Sequence, residues 1–333
     1  MDTRNKGVMT ICSPDVHTPA CGFRSTAAAV DLGTNSFRLL IAEFSANTWR
    51  PLHKELVTVR LGQGLGASGV LLPEAMARGY AALAMFAEKI ASCRPDSVRV
   101  CGTQALRMAA NSGEFTAQAS RVLKSEIEVL SGEDEARLTL LGMLSVPGGR
   151  IRHPLLLVDV GGGSSELLFQ PAAAAASREV SLSLGAVALT EEFGPDIEAM
   201  AGRIRSVLAR AFYDATDADQ ADRSLFLAGS GGTATTLAAL DLALDHYDGT
   251  RVHGHVLERT RLHALCGALR ALPPNRRAGL PLLGHGRGEI IVAGAMVYDE
   301  LLRLSGCGSI MISDAGLLEG ILLSGKCIGE NVE

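Results

Sequence analysis

The chain carries one eleven-residue pattern twice, VDLGTNSFRLL at 30–40 and VDVGGGSSELL at 158–168, matched at a separation of 128 residues (31 to 159, 38 to 166). Each copy reads as an apolar strand ending in an acid, a tight turn rich in Gly, Ser and Thr, and a second apolar strand. A strand–turn–strand unit repeated so far along the chain restricts the fold to two duplicated α/β halves. The turn glycines (Gly33; Gly161, Gly162, Gly163) are expected to take φ > 0, so that successive backbone N–H groups converge on one anion, with Thr34, Asn35, Ser36 and Ser164 adding side-chain donors. Either turn alone reads equally well as a plain hairpin. The duplication, with both acids kept, predicts a phosphate cradle in each half and a ligand gripped from both sides, Asp31 or Asp159 lying near its metal. Arg38 and Glu166 occupy the same step after their turns and are read as a phosphate contact and a group near the metal.

The 333 residues suffice for two domains. No apolar run approaches the ~18 residues of a membrane span, and the stretch from Met1 to about Phe23 is polar, with Pro14 and Pro19, and reads as a flexible extension without a signal-peptide core. Seven scattered cysteines without a C-x-x-C pair fit a reducing cytoplasm, and a formal charge of −5 argues against a nucleic-acid binder.

Between the repeats, Thr48 to Arg60 reads as a strand, Leu61 to Gly66 as a flexible loop, and Pro73 as the first residue of a helix with an apolar stripe. Ser131 is placed as the cap of a helix whose first turn holds Glu133, Asp134 and Glu135, carboxylates suited to the helix dipole. A third glycine turn, Gly229-Ser230-Gly231-Gly232-Thr233, follows a strand and opens a helix, another anion-binding arrangement. Ser313-Asp314 reads as the cap of the last helix, and His253-Gly254-His255 as a loop rather than a metal site. Arg276-Arg277 and the set Arg203, Arg205 and Arg210 are candidate guides for a polyanion, or plain solvated charges.

Six ordered segments, among them GTQALR (102–107), SGEDEAR (131–137), DVGGGSSE (159–166) and GSGGT (229–233), resemble the exopolyphosphatase/guanosine pentaphosphate phosphohydrolase family over about residues 25 to 325. The resemblance implies the duplicated actin-like (ribonuclease H-like) fold, two α/β domains around a central cleft. The expected division is an extension over 1–24, a first domain over 25–137, a second over 138–313, and a helix over about 314–325 packing back on the first. It further implies Mg²⁺ dependence, a homodimer, inorganic polyphosphate or guanosine penta/tetraphosphate as ligand, and attack of water on a terminal phosphoryl group of polyphosphate or, alternatively, of guanosine pentaphosphate to give the tetraphosphate. Position by position, Glu135 falls on the family's general base, Asp31, Asp159 and Glu166 on its acidic positions for metal or water, and Arg107 on an arginine able to pair with phosphate. Gly33 to Ser36, Arg38, Gly161 to Ser164 and Gly231 to Thr233 would bind phosphate oxygens. A phosphotransferase of the same fold and a non-catalytic alarmone sensor are the competing classes. One departure stands near the C-terminus, where Leu318 replaces the arginine of the family's G-L-R-E-G.

Overall fold

In a computed structural model, residues 24–45, 48–146, 151–173, 175–216 and 225–327 are described. The expected extension lies outside them up to residue 23. The first sheet is built from β1 (Arg24–Leu32), β2 (Ser36–Ser45), β3 (Thr48–Thr58), β4 (Ser97–Gly102) and β5 (Ile127–Val129), in the order β3-β2-β1-β4-β5. The second contains β6 (Leu155–Val160), β7 (Ser165–Gln170), β8 (Arg178–Leu182), β9 (Phe226–Ser230), β10 (His255–Glu258) and β11 (Ser309–Ile312), in the order β10-β11-β9-β6-β7-β8. In both, three antiparallel strands are followed by two parallel ones, and β10 is an added antiparallel edge. These are the two duplicated α/β halves the repeat calls for.

Period-two alternation splits β1 between two cores. Ala28, Val30 and Leu32 pack with Phe37, Leu83, Phe86 and Phe115 beneath the helices Pro73–Cys93 and Ser112–Leu123. Ala27 and Ala29 face Leu317, Leu318, Ile321 and Leu322 of the last helix, Leu317–Cys327. Leu318 is therefore core, 2% exposed, and its aliphatic chain fills space where an arginine would bring a charge. The helix Gly132–Leu144, which a boundary at 137/138 would cut, lays Ala136, Leu140 and Met143 on the second sheet. The two helices cross at glycines: a Cβ on Gly142 would lie 1.9 Å from Gly316 O, and one on Gly320 1.9 Å from Leu138 O. Only glycine permits so close a crossing, which joins the halves beneath the cleft.

Pro73 starts its helix and the Ser131 hydroxyl accepts from Asp134 N, as expected. Three other expectations fail. The last helix begins three residues after Asp314, and Glu319, not Ser313 or Asp314, accepts from its leading N–H at Gly316 (2.8 Å). The segment 61–66 is not loose, because Gly62 N donates to Thr34 O and both Val59 N and Arg60 N donate to Asn35 O, strapping it to the first turn. His255 opens β10 instead of lying in a loop, its ring bonded to Asp241 at 2.8 Å.

Candidate active site

The β1–β2 and β6–β7 turns face each other across the junction of the halves. None of Gly33, Gly161, Gly162 and Gly163 takes positive φ; among the cleft turns only Gly231, at φ 83°, does. The expectation of left-handed glycines in the two cradles is thus corrected: their requirement is close approach. A Cβ on Gly163 would lie 1.5 Å from Gln104 Oε1 and 3.0 Å from Thr34 Oγ1, and one on Gly162 3.2 Å from Asn35 N. Bare backbone at these positions lets the turns meet. Gly231 needs both freedoms, since a Cβ there would also lie 2.2 Å from Asp159 Oδ1. Its helix, Gly231–Asp241, points its N-terminus at the same space.

Between the turns lies a cavity of about 90 Å³, lined by Asp31, Asp159, Glu135, residues 33–36, Arg38, 161–164, 231–233 and two groups the sequence reading left out, Gln104 and Arg287. The register explains the charges. Asp31 pairs with Arg38 across the first hairpin, and Asp159 with Glu166 across the second. Burial pushes the Asp31 carboxyl up to about 6, against the Arg38 charge and with those of Asp159 and Glu319, and Asp31 Oδ1 is a buried oxygen without a hydrogen-bond partner. Asp159 is also raised by burial, opposed by Arg38 and by the Ser230 hydroxyl donating to Oδ2 at 2.9 Å.

Glu135, 9% exposed, is held well above the carboxylate range by burial and the Glu166 charge, opposed by Arg107. Glu166 is pushed up to about 7 by burial, while the hydroxyls of Ser164 (2.6 Å) and Ser181 (2.8 Å) stabilise its ionised form. Arg107 is committed to protein: Nη1 donates to Glu135 Oε2 (2.8 Å) and Leu130 O (2.9 Å), and Nη2 lies 3.8 Å from Glu166 Oε1. These contacts orient the two acids. Arg38 makes no ion pair or hydrogen bond among the described residues. Among the described residues Arg287 makes one hydrogen bond, Nη1 to the Thr236 hydroxyl at 3.1 Å, and burial lowers its pKa. Both flank Gly232, whose Cβ would lie 3.4 Å from Arg38 Nη2 and 3.3 Å from Arg287 Nη2. The signal for Arg287 was the unusual glycine density of Gly284-His285-Gly286-Arg287-Gly288 at a helix start.

Of the other candidate cations, Arg277 is buried and structural, donating to Gly288 O, Leu269 O and Leu272 O, while Arg205 and Arg210 are exposed and pair with Glu300 and Asp214.

Among the described residues no group of three or more His, Cys, Asp or Glu is gathered as a ligand set. Asp31 and Asp159 fit Mg²⁺, a hard cation that takes one or two carboxylates and completes its shell with water and substrate phosphate; the orphaned Asp31 Oδ1 is the donor that fits best. Glu166 is buried and does not line the cavity, its Oε1 engaged by two serines.

The Ppx/GppA phosphatase family model matches residues 40–326. Exopolyphosphatase 2 of Mycobacterium tuberculosis is 33% identical over 313 residues, 89% of this chain and 97% of that protein. The crystal structure of an exopolyphosphatase-like protein superposes with a TM-score of 0.84 at 31% identity, covering 92% of this chain and 99% of that one. The Aquifex aeolicus Ppx-GppA enzyme does so with a TM-score of 0.74 at 26% identity, covering 90% and 99%. Among the described residues no helix is long and apolar enough to cross a membrane.

Proposed function

The chain belongs to the Ppx/GppA phosphatase family, and on that premise we propose that it is an exopolyphosphatase, a phosphoric anhydride hydrolase releasing the terminal phosphoryl group of inorganic polyphosphate. The observation that carries this reading is the pairing of two opposed turns with two guanidiniums, Arg38 and Arg287, around one small cavity walled by Glu135. Phosphoryl transfer passes through a loose transition state, so the protein's work is positioning and charge stabilisation. The backbone of the turns and the two arginines hold the terminal phosphate and take up charge on its equatorial oxygens. Asp31 and Asp159 would hold Mg²⁺, which when bound would neutralise charge gathering on the leaving phosphate.

Glu135 takes the proton of the attacking water. The water oxygen bonds to the terminal phosphorus as the bridging P–O bond breaks; orthophosphate leaves, and the shortened chain keeps the bridging oxygen and its electron pair. Burial and the neighbouring Glu166 lift the Glu135 carboxyl, making it a stronger base than an exposed glutamate. Arg107 fixes its orientation. The same reading carries Mg²⁺ as the cation, a cytoplasmic setting and a homodimer, the last checked by light scattering.

The test is Mg²⁺-dependent orthophosphate release from polyphosphate and from guanosine pentaphosphate, side by side, by wild type and Glu135→Gln. Release from polyphosphate that the variant loses is expected. Release from the nucleotide alone makes this a pentaphosphate hydrolase. Release from neither, with transfer to an added acceptor or with binding alone, points to a phosphotransferase or a sensor.

A further inference from the structure

The cavity is small, so on the exopolyphosphatase reading the phosphates beyond the chain end lie outside it. One ion pair stands beside its lining residues without lining it: Arg60, from the segment after β3, and Glu289, from the helix Gly284–Ser305, with Arg60 Nη2 2.9 Å from Glu289 Oε1. Three observations place Arg60 beside the cavity. Its N–H donates to the carbonyl of Asn35, a lining residue, at 2.8 Å. Its guanidinium lies against Gly286, where a Cβ would sit 3.0 Å from Arg60 Nε, beside cavity-lining Arg287. Glu289, its partner, stands between Arg287 and Ile290, both lining residues, yet its own side chain is 46% exposed.

The mounting is unusual. Arg60 has φ 53°, a left-handed conformation that a long side chain rarely adopts. It is held there because Val59 N and Arg60 N both turn about Asn35 O, and because Arg60 O accepts from Gln63 N. Such strain gathers at ligand clamps and switches. The partner is easily exchanged, since the side chains are 31% and 46% exposed and water-exposed pairs are weak. A phosphate is a better match for a guanidinium fork than one wet carboxylate oxygen.

We propose that Arg60 is a specificity-determining residue that leaves Glu289 for an internal phosphate of a linear polyphosphate, so that chain length is read beside the cavity. This rests on the exopolyphosphatase reading and deepens it. Glu289 occupies Arg60 until a chain long enough to reach the pair displaces it, and a substrate that ends inside the cavity never meets either group.

The experiment compares KM for tripolyphosphate and for long-chain polyphosphate in wild type, Arg60→Ala, Arg60→Lys and Glu289→Ala. Arg60→Ala is expected to raise the long-chain KM about tenfold more than the tripolyphosphate KM, in keeping with the loss of one charge-assisted contact. Arg60→Lys restores part of it, and Glu289→Ala, which frees the guanidinium, lowers the long-chain KM. If the pair is only a clasp between the halves, Arg60→Ala and Glu289→Ala shift both substrates together in the same direction, and the proposal fails while the exopolyphosphatase reading stands. Absence of phosphate release from every polyphosphate by wild type overturns both. Melting curves on each variant separate loss of fold from loss of contact.

Discussion

The two hairpins correspond in sequence pattern and register and differ where they matter most chemically. Each leading strand ends in an acid, Asp31 or Asp159, but the register partner is Arg38 in the first hairpin and Glu166 in the second. The first puts a cation into the cavity that holds down the carboxyls of both Asp31 and Asp159. The second puts an acid behind the wall that lifts Glu135. The repeat supplies two corresponding hairpins, and one residue in each divides the labour between facing the cavity as a cation and tuning a base.

The largest break in that division is at the base itself. Glu135→Gln keeps the shape of the side chain and its Arg107 contact but cannot accept a proton, and turnover is expected to fall ~10²–10⁴-fold with little change in KM. Steady-state phosphate release measures it, and near-normal turnover would move the base elsewhere. The pH profile carries a sign: Glu135 works ionised, its pKa is raised, and so the rate climbs as pH rises through that value. Glu166→Gln removes a charge that raises it and shifts the acid limb to lower pH.

On the other hairpin, Arg38→Ala removes a guanidinium that no protein group occupies. KM for polyphosphate is expected to rise roughly 10–100-fold, the worth of a charge-assisted phosphate contact, with a smaller effect on kcat. A variant that loses kcat instead would place Arg38 on the transition state.

Much of this was legible in the residues. The repeat dictated two sheets, and its 128-residue offset set Arg38 opposite Glu166 in register. The carboxylates came from matched motifs, and the structure gathers Asp31, Asp159 and Glu135 around one cavity. For Arg287 the glycine-rich helix start was the one local signal, and it did not tell that the arginine reaches the cavity, which becomes visible only once the helix is docked beside the third turn. The engagement of Arg107 by Glu135 was equally hidden: 28 residues and two elements separate them. The glycines were legible as necessary but misread in cause, since sequence shows conformational freedom and only tertiary structure shows the neighbour a Cβ would strike.

Glu166→Gln also turns the second hairpin into a stability measurement. Glu166 has its folded pKa raised from 4.5 to about 7, so the folded protein binds its proton more tightly than the unfolded chain. Stability therefore falls as pH rises from about 4.5 to 7, and the cost is complete above 7. In metal-free buffer at pH 8, Glu166→Gln is expected to stabilise the protein by roughly 1–3 kcal/mol, a gain that vanishes near pH 4. Urea melts at the two pH values decide it, and a gain equal at both would reflect packing instead of charge.

The smallest effect sharpens the comparison most, because it concerns two residues at the same place in the repeat. A Cβ on Gly33 would lie 2.8 Å from Ser36 O, and one on Gly161 3.1 Å from Ser164 O. Neither oxygen can swing aside as a side chain would, because each is backbone at the head of its hairpin's returning strand. Both alanine variants should be destabilised, by about 1–3 kcal/mol as for other overpacked sites, with Gly33→Ala worse by about 1 kcal/mol because its contact is below any real approach. The second turn carries a counterweight, the Gly161 N–H bond to that same Ser164 oxygen at 2.9 Å. If displacing the oxygen breaks that bond, Gly161→Ala becomes the costlier change. The order of the two melting temperatures therefore shows whether the repeat's turns are limited by contact alone or by the hydrogen bond that closes one of them.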